Sequence, residues 1–560
     1  MSEFSSRSAA IAHLTSPGQP YELELVEVYG ENCRAFVNAP STLRDLFRDN
    51  RSDETFIVYE DERLTFSQTY NKAAKIGHLL KNQYKIQAGD RVAISMRNYP
   101  EWIMAFTAVS SIGAIAVTLN ALWSTEEIEY GISHSGSSIL FADQERIDRV
   151  LPFYQKAGLQ VIAVRPGDDL PADIPALEQL LTTVPDCDMP EVEIAPNDDA
   201  TILFTSGSTG NPKGAVSCHR NIISALLSWE LDQYSAFLAA GIDPPETDYQ
   251  AATLLAVPLF HATGSHAVYL SCYRSQRKLV SMYRWNAELA AELIEQEQIS
   301  SFVAPAAMTG DLVKVARQTN RNLSTLATVG GGGAPRAPEQ VKGIAATFEK
   351  AMPNTGWGMT ETNAIGAGIG GEDYLEHPGS SGRCSAVLDL KIINESGDEL
   401  PANSRGELLV RGTSVIKEYW KRPDANAEAF TGRWLHTGDV AYLDDEGYLY
   451  IVDRLKDLVI RGGENIGCAE VEAALLSHPQ ILEASAYAVP DERLGEEVGA
   501  TIYVDGTLDL EALKVFLGDH IARFKIPRYF EVVTDPLLRI AAGKIDKKRI
   551  RETAVAKLGL

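Results

Sequence analysis

Segments typical of β-strands alternate with segments typical of helices along the first part of the chain. A strand at residues 91–95 precedes a helix around Trp102, and strand, helix and strand follow over residues 115–141. Strands that alternate with helices pair in parallel and are covered by those helices, so this order predicts an α/β fold. The same alternation returns over residues 201–329 and predicts a second layer of this kind.

Short strands and turns replace this alternation after Pro378, and a further α+β unit follows, with helices predicted at residues 469–476 and 510–522. The chain has 560 residues, several times the usual length of a domain, so it should divide into more than one unit. We expect a large N-terminal domain at residues 1–452, with layered α/β sheets and a β-rich subdomain. A small mobile α+β C-terminal domain is expected at residues 453–560.

The composition excludes several classes of partner. Lys and Arg number 51 against 76 Asp and Glu, so the net charge is −25 and the protein repels nucleic acid and anionic lipid surfaces. Any phosphate ligand must therefore be held by local groups. The six cysteines include no CxxC pair and no Cys/His cluster at the spacing of metal ligands, which indicates reduced thiols, no structural zinc and a cytoplasmic location.

One uncharged segment, residues 102–125, is long enough to cross a bilayer. It contains Thr107, Ser110 and Asn120, and its second half resembles a strand, so we interpret it as a buried helix followed by a buried strand. The N-terminus lacks the apolar core of a signal peptide. We expect no membrane span and no nucleic-acid partner, and the sequence leaves a homodimer open.

A loop rich in glycine and hydroxyl groups is the most informative motif. Residues 204–214 are Phe-Thr-Ser-Gly-Ser-Thr-Gly-Asn-Pro-Lys-Gly and follow a short apolar run. Glycines let the backbone approach a ligand, hydroxyls donate to phosphate oxygens, and Lys213 supplies positive charge, which together indicate a phosphate-binding loop. A Walker A loop is excluded, because Pro212 precedes the lysine and Gly214 follows it.

Together with seven further motifs in the same order, this loop resembles the adenylate-forming superfamily of acyl-CoA synthetases, adenylation domains and firefly luciferase. The resemblance extends over nearly the whole chain. The other motifs are PLFHATG at 258–264, GGGAP at 331–335, GWGMTE at 356–361, GELLVRG at 406–412, TGD at 437–439, DRLKDLVIRGGE at 453–464 and GK at 543–544.

The resemblance implies a nucleotide site. In it, Trp357 and the turn at 332–335 hold adenine, and Asp439 accepts both ribose hydroxyls; a plain turn residue is the alternative for Asp439. Thr360 contacts phosphate and Glu361 is the Mg²⁺ ligand, a hard carboxylate for a hard cation. The residues expected to bind ATP are Thr205, Ser206, Gly207, Ser208, Thr209, Gly210, Lys213, Gly332, Gly333, Ala334, Pro335, Trp357, Gly358, Met359, Asp439 and Arg454.

The resemblance makes Lys544 the main catalytic residue. When a carboxylate attacks the α-phosphorus of ATP, a cation between the two anions offsets their repulsion and the charge that grows in the transition state. On composition alone, a lysine in this basic run is a solvated side chain. Residues 538–542, Leu-Arg-Ile-Ala-Ala, also depart from the family's usual Pro-Lys/Arg-Thr. The residues expected to take part in catalysis are Lys544, Thr360, Glu361 and His261.

The acyl group is expected beside His261, which the family often uses as a gate and which could equally be a core histidine. The surrounding residues are small or apolar and include no charged side chain. This predicts a monocarboxylic acid with an apolar tail and disfavours amino and dicarboxylic acids. The residues expected to line the acyl pocket are His261, Thr263, Val303, Ala304, Gly330, Gly331 and Ile365.

A last set of residues concerns transfer to CoA. The resemblance makes Asp453 the hinge of the mobile domain. Gly467 stands where family members commonly have Tyr, so we expect a wider CoA tunnel. No histidine accompanies Cys468 within its motif, so we interpret it as a buried structural thiol. The residues expected to contact CoA are Gly462, Gly463 and Glu464.

Residues 366–371 fit the pattern GxGxxG of dinucleotide-binding sites. They follow the Met-Thr-Glu-Thr segment at 359–362 and no predicted strand, and we expect no amphipathic helix after them. A Rossmann site is therefore not expected, and in the resemblance this stretch leaves room beside the acyl pocket.

The sequence thus predicts an ATP-dependent acyl-CoA synthetase of fatty acid metabolism, with Mg²⁺ as cofactor, CoA as co-substrate and a medium- or long-chain fatty acid as substrate. Four alternatives stay open: an acyl-AMP ligase that loads a carrier protein, an aryl- or ring-acid CoA ligase, a luciferase-like oxidase, and a non-catalytic nucleotide-binding sensor. The sensor is disfavoured because Lys213, Glu361, Asp439 and Lys544 are all present.

Overall fold

The computed structural model describes residues 4, 6–205, 211–243, 247–332, 338–348, 350–455, 457–462, 464–504, 506–539 and 544–559. They form mixed α/β layers, with a large N-terminal part built on two sheets and a smaller C-terminal part built on a third. The predicted fold class is confirmed.

The strands are numbered in chain order. They are β1 (Leu23–Val28), β2 (Glu31–Phe36), β3 (Thr55–Tyr59), β4 (Glu62–Thr65), β5 (Arg91–Ser95), β6 (Ile115–Thr118), β7 (Ile139–Asp143), β8 (Gln160–Val164), β9 (Asp199–Thr205), β10 (Lys213–Cys218), β11 (Ala252–Leu255), β12 (Lys278–Ser281), β13 (Ile299–Val303), β14 (Thr328–Gly331), β15 (Met352–Gly358), β16 (Gly366–Gly370), β17 (Gly382–Cys384), β18 (Leu388–Ile393), β19 (Gly406–Gly412), β20 (Glu418–Tyr419), β21 (Phe430–Thr431), β22 (Trp434–Leu443), β23 (Tyr448–Arg454), β24 (Val459–Arg461), β25 (Glu464–Ile466), β26 (Ile481–Asp491), β27 (Gly495–Val504) and β28 (Tyr529–Val533).

The α-helices are numbered in the same way. They are α1 (Arg7–Leu14), α2 (Leu43–Asp49), α3 (Phe66–His78), α4 (Pro100–Ser111), α5 (Thr125–Ser135), α6 (Gln144–Val150), α7 (Leu177–Thr182), α8 (His219–Ala240), α9 (Ser271–Arg274), α10 (Ala287–Glu297), α11 (Ala306–Gln318), α12 (Pro338–Thr347), α13 (Gly371–Glu376), α14 (Pro423–Ala429), α15 (Cys468–Leu476), α16 (Leu510–Gly518) and α17 (Lys547–Lys557). Two π-helices (Leu79–Gln83 and Thr263–Leu270) and two 3₁₀ helices (Thr360–Thr362 and Arg523–Lys525) complete the described elements.

The first large sheet has the order β20-β10-β9-β6-β5-β7-β8. Strands β9, β6, β5, β7 and β8 are parallel, as the alternation of strands and helices predicts, while β10 pairs antiparallel with β9. The alternation over residues 201–329 is predicted to form a separate layer, but its first two strands, β9 and β10, belong to the first sheet. Strand β9 pairs with β6 of the first sheet, because the partner of a strand is chosen by tertiary packing and not by its local pattern.

The second large sheet has the order β18-β19-β22-β23-β17-β16-β15-β14-β13-β11-β12-β3-β4, with β21 beside β22. The central strands β12, β11, β13, β14 and β15 are parallel. Their carboxyl ends therefore meet at one edge of the sheet. From β16 onward the pairing is antiparallel, which agrees with the predicted β-rich subdomain.

The third sheet, β25-β24-β27-β26 with β28 beside β27, belongs to the C-terminal part. The chain leaves the second sheet at Arg454 and enters the third at Val459. Helix α15 begins one residue before its predicted start. Helix α16 ends at Gly518, earlier than the predicted residue 522, and a 3₁₀ helix follows the break.

The uncharged segment at residues 102–125 lies in the core, as predicted. Helix α4 is buried along nearly its whole length, with Trp102 fully buried, and β6 follows it at the centre of the first sheet. Over the described residues, no helix is both long and apolar enough to cross a membrane.

The GxGxxG segment is a strand and not a phosphate-binding turn. Residues 366–370 form β16, which pairs antiparallel with β15. A helix of six residues, α13, begins at Gly371, and Tyr374 is its one buried residue. A dinucleotide site needs its glycines in the turn between a strand and a helix, and here they occupy the strand itself.

Two buried histidines make the fold sensitive to acid. The Nδ1 atom of His219, at the start of α8, accepts a hydrogen bond from the Leu43 N–H at 3.1 Å. The ring nitrogens of His266 have no hydrogen-bond partner among the described residues. Burial lowers the pKa of His219 to about 4 and that of His266 to about 3, so both are neutral at pH 7.

We expect stability to fall as the pH drops from about 6.5 toward 4. The pKa of His219 is lower in the folded state than its unfolded value of about 6.5, so below pH 6.5 the unfolded state binds more protons and gains population. The variant His219→Asn keeps an acceptor for the Leu43 N–H. It should reduce the acid-induced loss of unfolding free energy by about 3 kcal/mol. Urea unfolding of the wild type and the variant across pH 4 to 8 measures this free energy. His13→Asn is the control, because His13 is exposed. An equal pH dependence of the unfolding free energy in all three proteins would contradict the prediction.

Candidate active site

A cavity of ≈ 3340 Å³ brings together residues that are far apart in the sequence. It lies at the carboxyl edge of the second sheet and continues along one face of it, next to α8. The cavity collects every described residue that was expected to bind ATP or take part in catalysis, namely Thr205, Lys213, His261, Gly332, Trp357, Gly358, Met359, Thr360, Glu361, Asp439, Arg454 and Lys544. Residues 206–210 and 333–335 of the same expected set lie outside the described residues.

The carboxylate of Glu361 is held on the cavity wall by Tyr419. Glu361 belongs to the 3₁₀ helix that follows β15 and is 7% exposed. The Tyr419 hydroxyl donates to Glu361 Oε1 at 2.7 Å, and Lys213 Nζ lies 5.0 Å from the centre of the Tyr419 ring. Burial and the nearby carboxylate raise the pKa of Tyr419, so its hydroxyl remains a donor. One oxygen of Glu361 is thus oriented, and this arrangement fits a hard cation bound together with phosphate oxygens.

Asp439 is the second buried carboxylate of the cavity. It lies on β22 directly opposite Arg454 on β23, and its Oδ1 atom is 2.7 Å from Arg454 Nε. The Trp357 indole N–H donates to Asp439 Oδ2 at 2.8 Å. Burial raises the pKa of Asp439, and the charge of Arg454 opposes that shift. Asp439 thus links Trp357 at the end of β15 to Arg454 on β23, the strand that leads into the C-terminal part.

Lys544 reaches the cavity from the C-terminal part. Its side chain is open to the cavity. The surrounding walls remove part of its hydration, and with the charge of Arg454 they lower the pKa of Lys544. Burial, assisted by the charge of Lys544, lowers the pKa of His261 to about 4. His261 is therefore neutral at pH 7, and its Nε2 atom has no hydrogen-bond partner among the described residues.

Most residues expected around the acyl group also line this cavity, namely His261, Thr263, Val303, Gly331 and Ile365. Ala304 and Gly330 instead lie behind its surface, where the Ala304 N–H donates to the Gly330 carbonyl at 3.2 Å. A Cβ added to Gly330 would lie 2.5 Å from Asn354 Oδ1. Gly330 therefore acts on the cavity through its neighbours Asn354 and Val303, which both line it.

The cavity is more polar than the sequence predicts. Its wall includes Arg7 of α1, Asp232 of α8 and Arg277 at the start of β12. The residues expected around the acyl group are uncharged, but these three charged side chains line the same cavity. These residues lie in no recognised motif. Arg7 and Asp232 are brought here by helices α1 and α8, and Arg277 by its hydrogen bonds to β11 and β13.

Of the residues expected to contact CoA, Gly462 and Glu464 are described, and neither lines the cavity. Gly462 has φ +59° in the turn between β24 and β25, a conformation that favours glycine, and Glu464 begins β25; Gly463 is outside the described residues. Asp453 does line the cavity, and its Oδ2 atom accepts the Ala469 N–H at 3.2 Å.

Cys468, at the start of α15, is a buried thiol as predicted. It is 1% exposed, its Sγ donates to the Asp457 carbonyl at 2.9 Å, and burial raises its pKa. All six cysteines are unpaired. Gly467 just before it leaves little space, since an added Cβ would lie 3.2 Å from the Val452 carbonyl oxygen.

Comparisons with known proteins agree with this geometry. The sequence profile described as AMP-binding enzyme matches residues 46–420, and that of the AMP-binding enzyme C-terminal domain matches residues 470–544. A long-chain-fatty-acid–CoA ligase of Mycobacterium tuberculosis is 31% identical over 500 residues, which cover 88% of this chain and 93% of that protein. A feruloyl-CoA synthase of Amycolatopsis is 31% identical over 509 residues, covering 89% and 95%.

A solved structure shows the same fold. The o-succinylbenzoate CoA synthetase of Bacillus subtilis, in complex with ATP and magnesium ion, aligns with a TM-score of 0.75 and 28% identity over 92% of this chain and 99% of that one. The chain belongs to the family of AMP-binding enzymes, that is, to the adenylate-forming superfamily in its CoA ligase branch. It is an acid–thiol ligase that uses ATP, Mg²⁺ and CoA.

We expect Tyr419→Phe to weaken the response to magnesium about tenfold, because the loss of a group that orients a metal ligand typically costs ten- to hundredfold in affinity. The Mg²⁺ dependence of ATP–pyrophosphate exchange measures this effect. Tyr442→Phe is the control, because Tyr442 stacks on Tyr450 away from the cavity. An unchanged Mg²⁺ dependence in Tyr419→Phe would show that the Tyr419–Glu361 hydrogen bond has no role in metal binding.

Proposed function

We propose that this protein is an AMP-forming acyl-CoA synthetase that activates an elongated carboxylic acid of medium or long chain through an acyl-adenylate. The main support is that one cavity contains Lys544, the Asp439–Arg454 pair and Glu361, and continues from them along an open face of the second sheet. A site for ATP chemistry and a space for a long acyl group are therefore continuous.

Lys544 is the cation that assists adenylation. An acid and the α-phosphate of ATP are both anionic, and their approach is opposed by repulsion that a fixed ammonium group offsets. Lys544 stands in the cavity near His261 and Arg454, the first expected at the acyl side and the second at the nucleotide side. The neutral state of His261 leaves the charge at this point to Lys544.

Asp439, Arg454 and Trp357 hold the nucleoside. Asp439 is buried and already oriented by two donors, so its remaining acceptor capacity suits a sugar hydroxyl. The Trp357 ring offers a flat apolar surface for the base. Glu361 would hold Mg²⁺, which when bound neutralises charge on the phosphate oxygens, and Lys213 adds a second positive charge nearby.

The second half-reaction needs a different arrangement of the C-terminal part. We propose Asp453 as the hinge, because the chain changes from the second to the third sheet just after it. The domain limits 1–452 and 453–560 are part of this proposal. Rotation at this point would withdraw Lys544 and bring the turn at 462–464 toward the cavity for CoA.

The acyl group extends along the face of the second sheet. Glycines of β15 and β16 add no side chain of their own to the cavity wall, although the Trp357 ring lies close to Gly366 and Asp232 Oδ2 lies close to Gly368. The glycines on the wall are Gly356, Gly358, Gly366, Gly368 and Gly370. Val257, Val268 and Val303 supply apolar contacts, and each buried methylene gains about 0.8 kcal/mol. A ring acid is the second candidate, because one relative is a feruloyl-CoA synthase.

The unpaired cysteines support a reducing compartment such as the cytoplasm.

A screen of carboxylic acids tests the substrate class. We expect AMP release with ATP, Mg²⁺ and CoA to be faster for acids with eight or more carbons than for acetate, propionate or ferulate, since only a long chain covers the face of the sheet. AMP release that requires a carrier protein in place of CoA, or that is fastest with ferulate, would contradict the proposal.

The catalytic role of Lys544 can be separated from thioester formation. We expect Lys544→Ala to slow adenylation by about a hundred- to a thousandfold, a loss typical for one group that stabilises transition-state charge, while transfer from supplied acyl-AMP to CoA largely survives. Single-turnover measurement of each half-reaction distinguishes them. Lys548→Ala on the exposed side of α17 is the matched control; equal losses in both half-reactions of Lys544→Ala would refute this division.

A further inference from the structure

Arg277 lies in the wall of the cavity at the amino end of β12, far from the carboxyl edge of the sheet where ATP is expected. Its Nε donates to Thr253 Oγ1 at 3.1 Å. One terminal nitrogen donates to Ser300 Oγ at 2.8 Å and to the Ala252 carbonyl at 3.3 Å. All three acceptors are neutral, and they hold the guanidinium group against the ends of β11 and β13.

Arg277 has no counter-ion among the described residues. No described carboxylate lies within 4 Å of it, and its other terminal nitrogen has no described acceptor. Two neighbouring cations do have counter-ions: Arg274 pairs with Glu230 at 3.2 Å, and Lys278 pairs with Glu297 at 3.0 Å. Burial lowers the pKa of Arg277, although a guanidinium remains protonated at pH 7. A partly buried cation without a partner is unfavourable, and an incoming anion would remove that cost.

The surroundings of Arg277 are polar, while the middle of the cavity is apolar. Hydroxyl groups of Thr253, Ser275, Ser300 and Ser301 line the cavity near it. Thr253 and Ser301 are paired in register on β11 and β13, so they present the same face. The apolar Val303 lies three residues beyond Ser300 on β13, which corresponds to about 10 Å along the strand. An acyl chain in the cavity would thus meet apolar side chains first and hydroxyl groups with one arginine last.

The other buried charge of this region does not oppose an anion. Asp232 of α8 pairs with Arg7 of α1, with 2.7 Å between Oδ1 and the Arg7 terminal nitrogen. A second Arg7 nitrogen donates to the Gly368 carbonyl at 2.7 Å. The carboxylate of Asp232 is therefore neutralised within the wall by Arg7 and does not oppose an anion at Arg277.

We propose that Arg277 binds a carboxylate at the far end of the acyl substrate, and that the enzyme accepts α,ω-dicarboxylic acids whose two carboxylates are separated by an apolar chain. This inference rests on the proposed function. One carboxylate is adenylated near Lys544, the chain contacts the valines of the cavity wall such as Val303, and the second carboxylate accepts from the unused N–H groups of Arg277. Such a charge-assisted hydrogen bond from the remaining terminal nitrogen is roughly twice as strong as one between neutral groups.

The first test compares matched pairs of acids with the wild-type enzyme. The measured quantity is kcat/KM for AMP release in the presence of CoA, with monoacids and diacids of equal length from four to sixteen carbons. We expect at least one diacid of ten or more carbons to be used as well as, or better than, its monoacid. Butanedioate should be inactive because it cannot span the distance. If long monoacids are used and every diacid is at least tenfold poorer, this inference fails while the proposed function stands; if no acid releases AMP, the proposed function itself fails.

The second test uses variants of Arg277. Arg277→Met should lower kcat/KM for the preferred diacid at least tenfold, mostly through KM, and should leave the monoacid of equal length unchanged or improved. Arg274→Met is the matched control, because Arg274 is three residues away, is paired with Glu230 and does not line the cavity. An equal loss for diacid and monoacid in Arg277→Met would show a structural role only and would overturn the proposal.

A milder variant covers the case in which Arg277→Met fails to fold. Thr253→Val keeps the cation and removes the acceptor that orients its Nε, so a several-fold loss confined to diacids is expected. A hydroxyl-terminated acid of the same length completes the set. If it is used better than the diacid, the site recognises a neutral polar group, and the assignment of an anionic ligand is wrong.

Discussion

Parallel pairing in the second sheet is the constraint on which the site depends. Because β11, β13, β14 and β15 run in one direction, their carboxyl ends lie side by side, and the segments that follow them converge. His261, Gly332 and the Thr360–Thr362 helix reach the same cavity in this way, although about a hundred residues separate the first from the last. The side chains required for the reaction are thus positioned by backbone hydrogen bonds.

Two buried carboxylates of the cavity are each paired with a hydrogen-bond donor or a cation. The protein as a whole is strongly acidic, so an anionic nucleotide is attracted only where positive charge is held locally. Asp439 shares its charge with Arg454 and a tryptophan N–H, and Glu361 accepts from Tyr419. Lys544 stays open to the cavity. Oriented carboxylates beside open cations suit a ligand that combines phosphate groups with a metal ion.

Glycines in this structure allow two strands to pair closely, in addition to their role in loops. In β16 and the facing part of β15, glycines permit close backbone approach: an added Cβ at Gly356 would lie 2.7 Å from the Ala367 carbonyl oxygen. The glycines of these two strands also line the cavity. A segment that matches a nucleotide-binding pattern in sequence is therefore better explained by the close pairing of two strands.

The sequence by itself determined the fold class, the order of the motifs and the residue types of the nucleotide site, because each of these depends on short segments such as residues 204–214 and 356–361. It also indicated correctly that residues 102–125 form a buried helix and strand. Only the tertiary structure decided that β9 joins the first sheet, that Ala304 and Gly330 lie behind the cavity surface, and that Arg7, Asp232 and Arg277 line it. These features arise from contacts between segments that are distant in sequence, such as Arg7 with Asp232 and Gly368, and no local pattern specifies which distant segments will pack together.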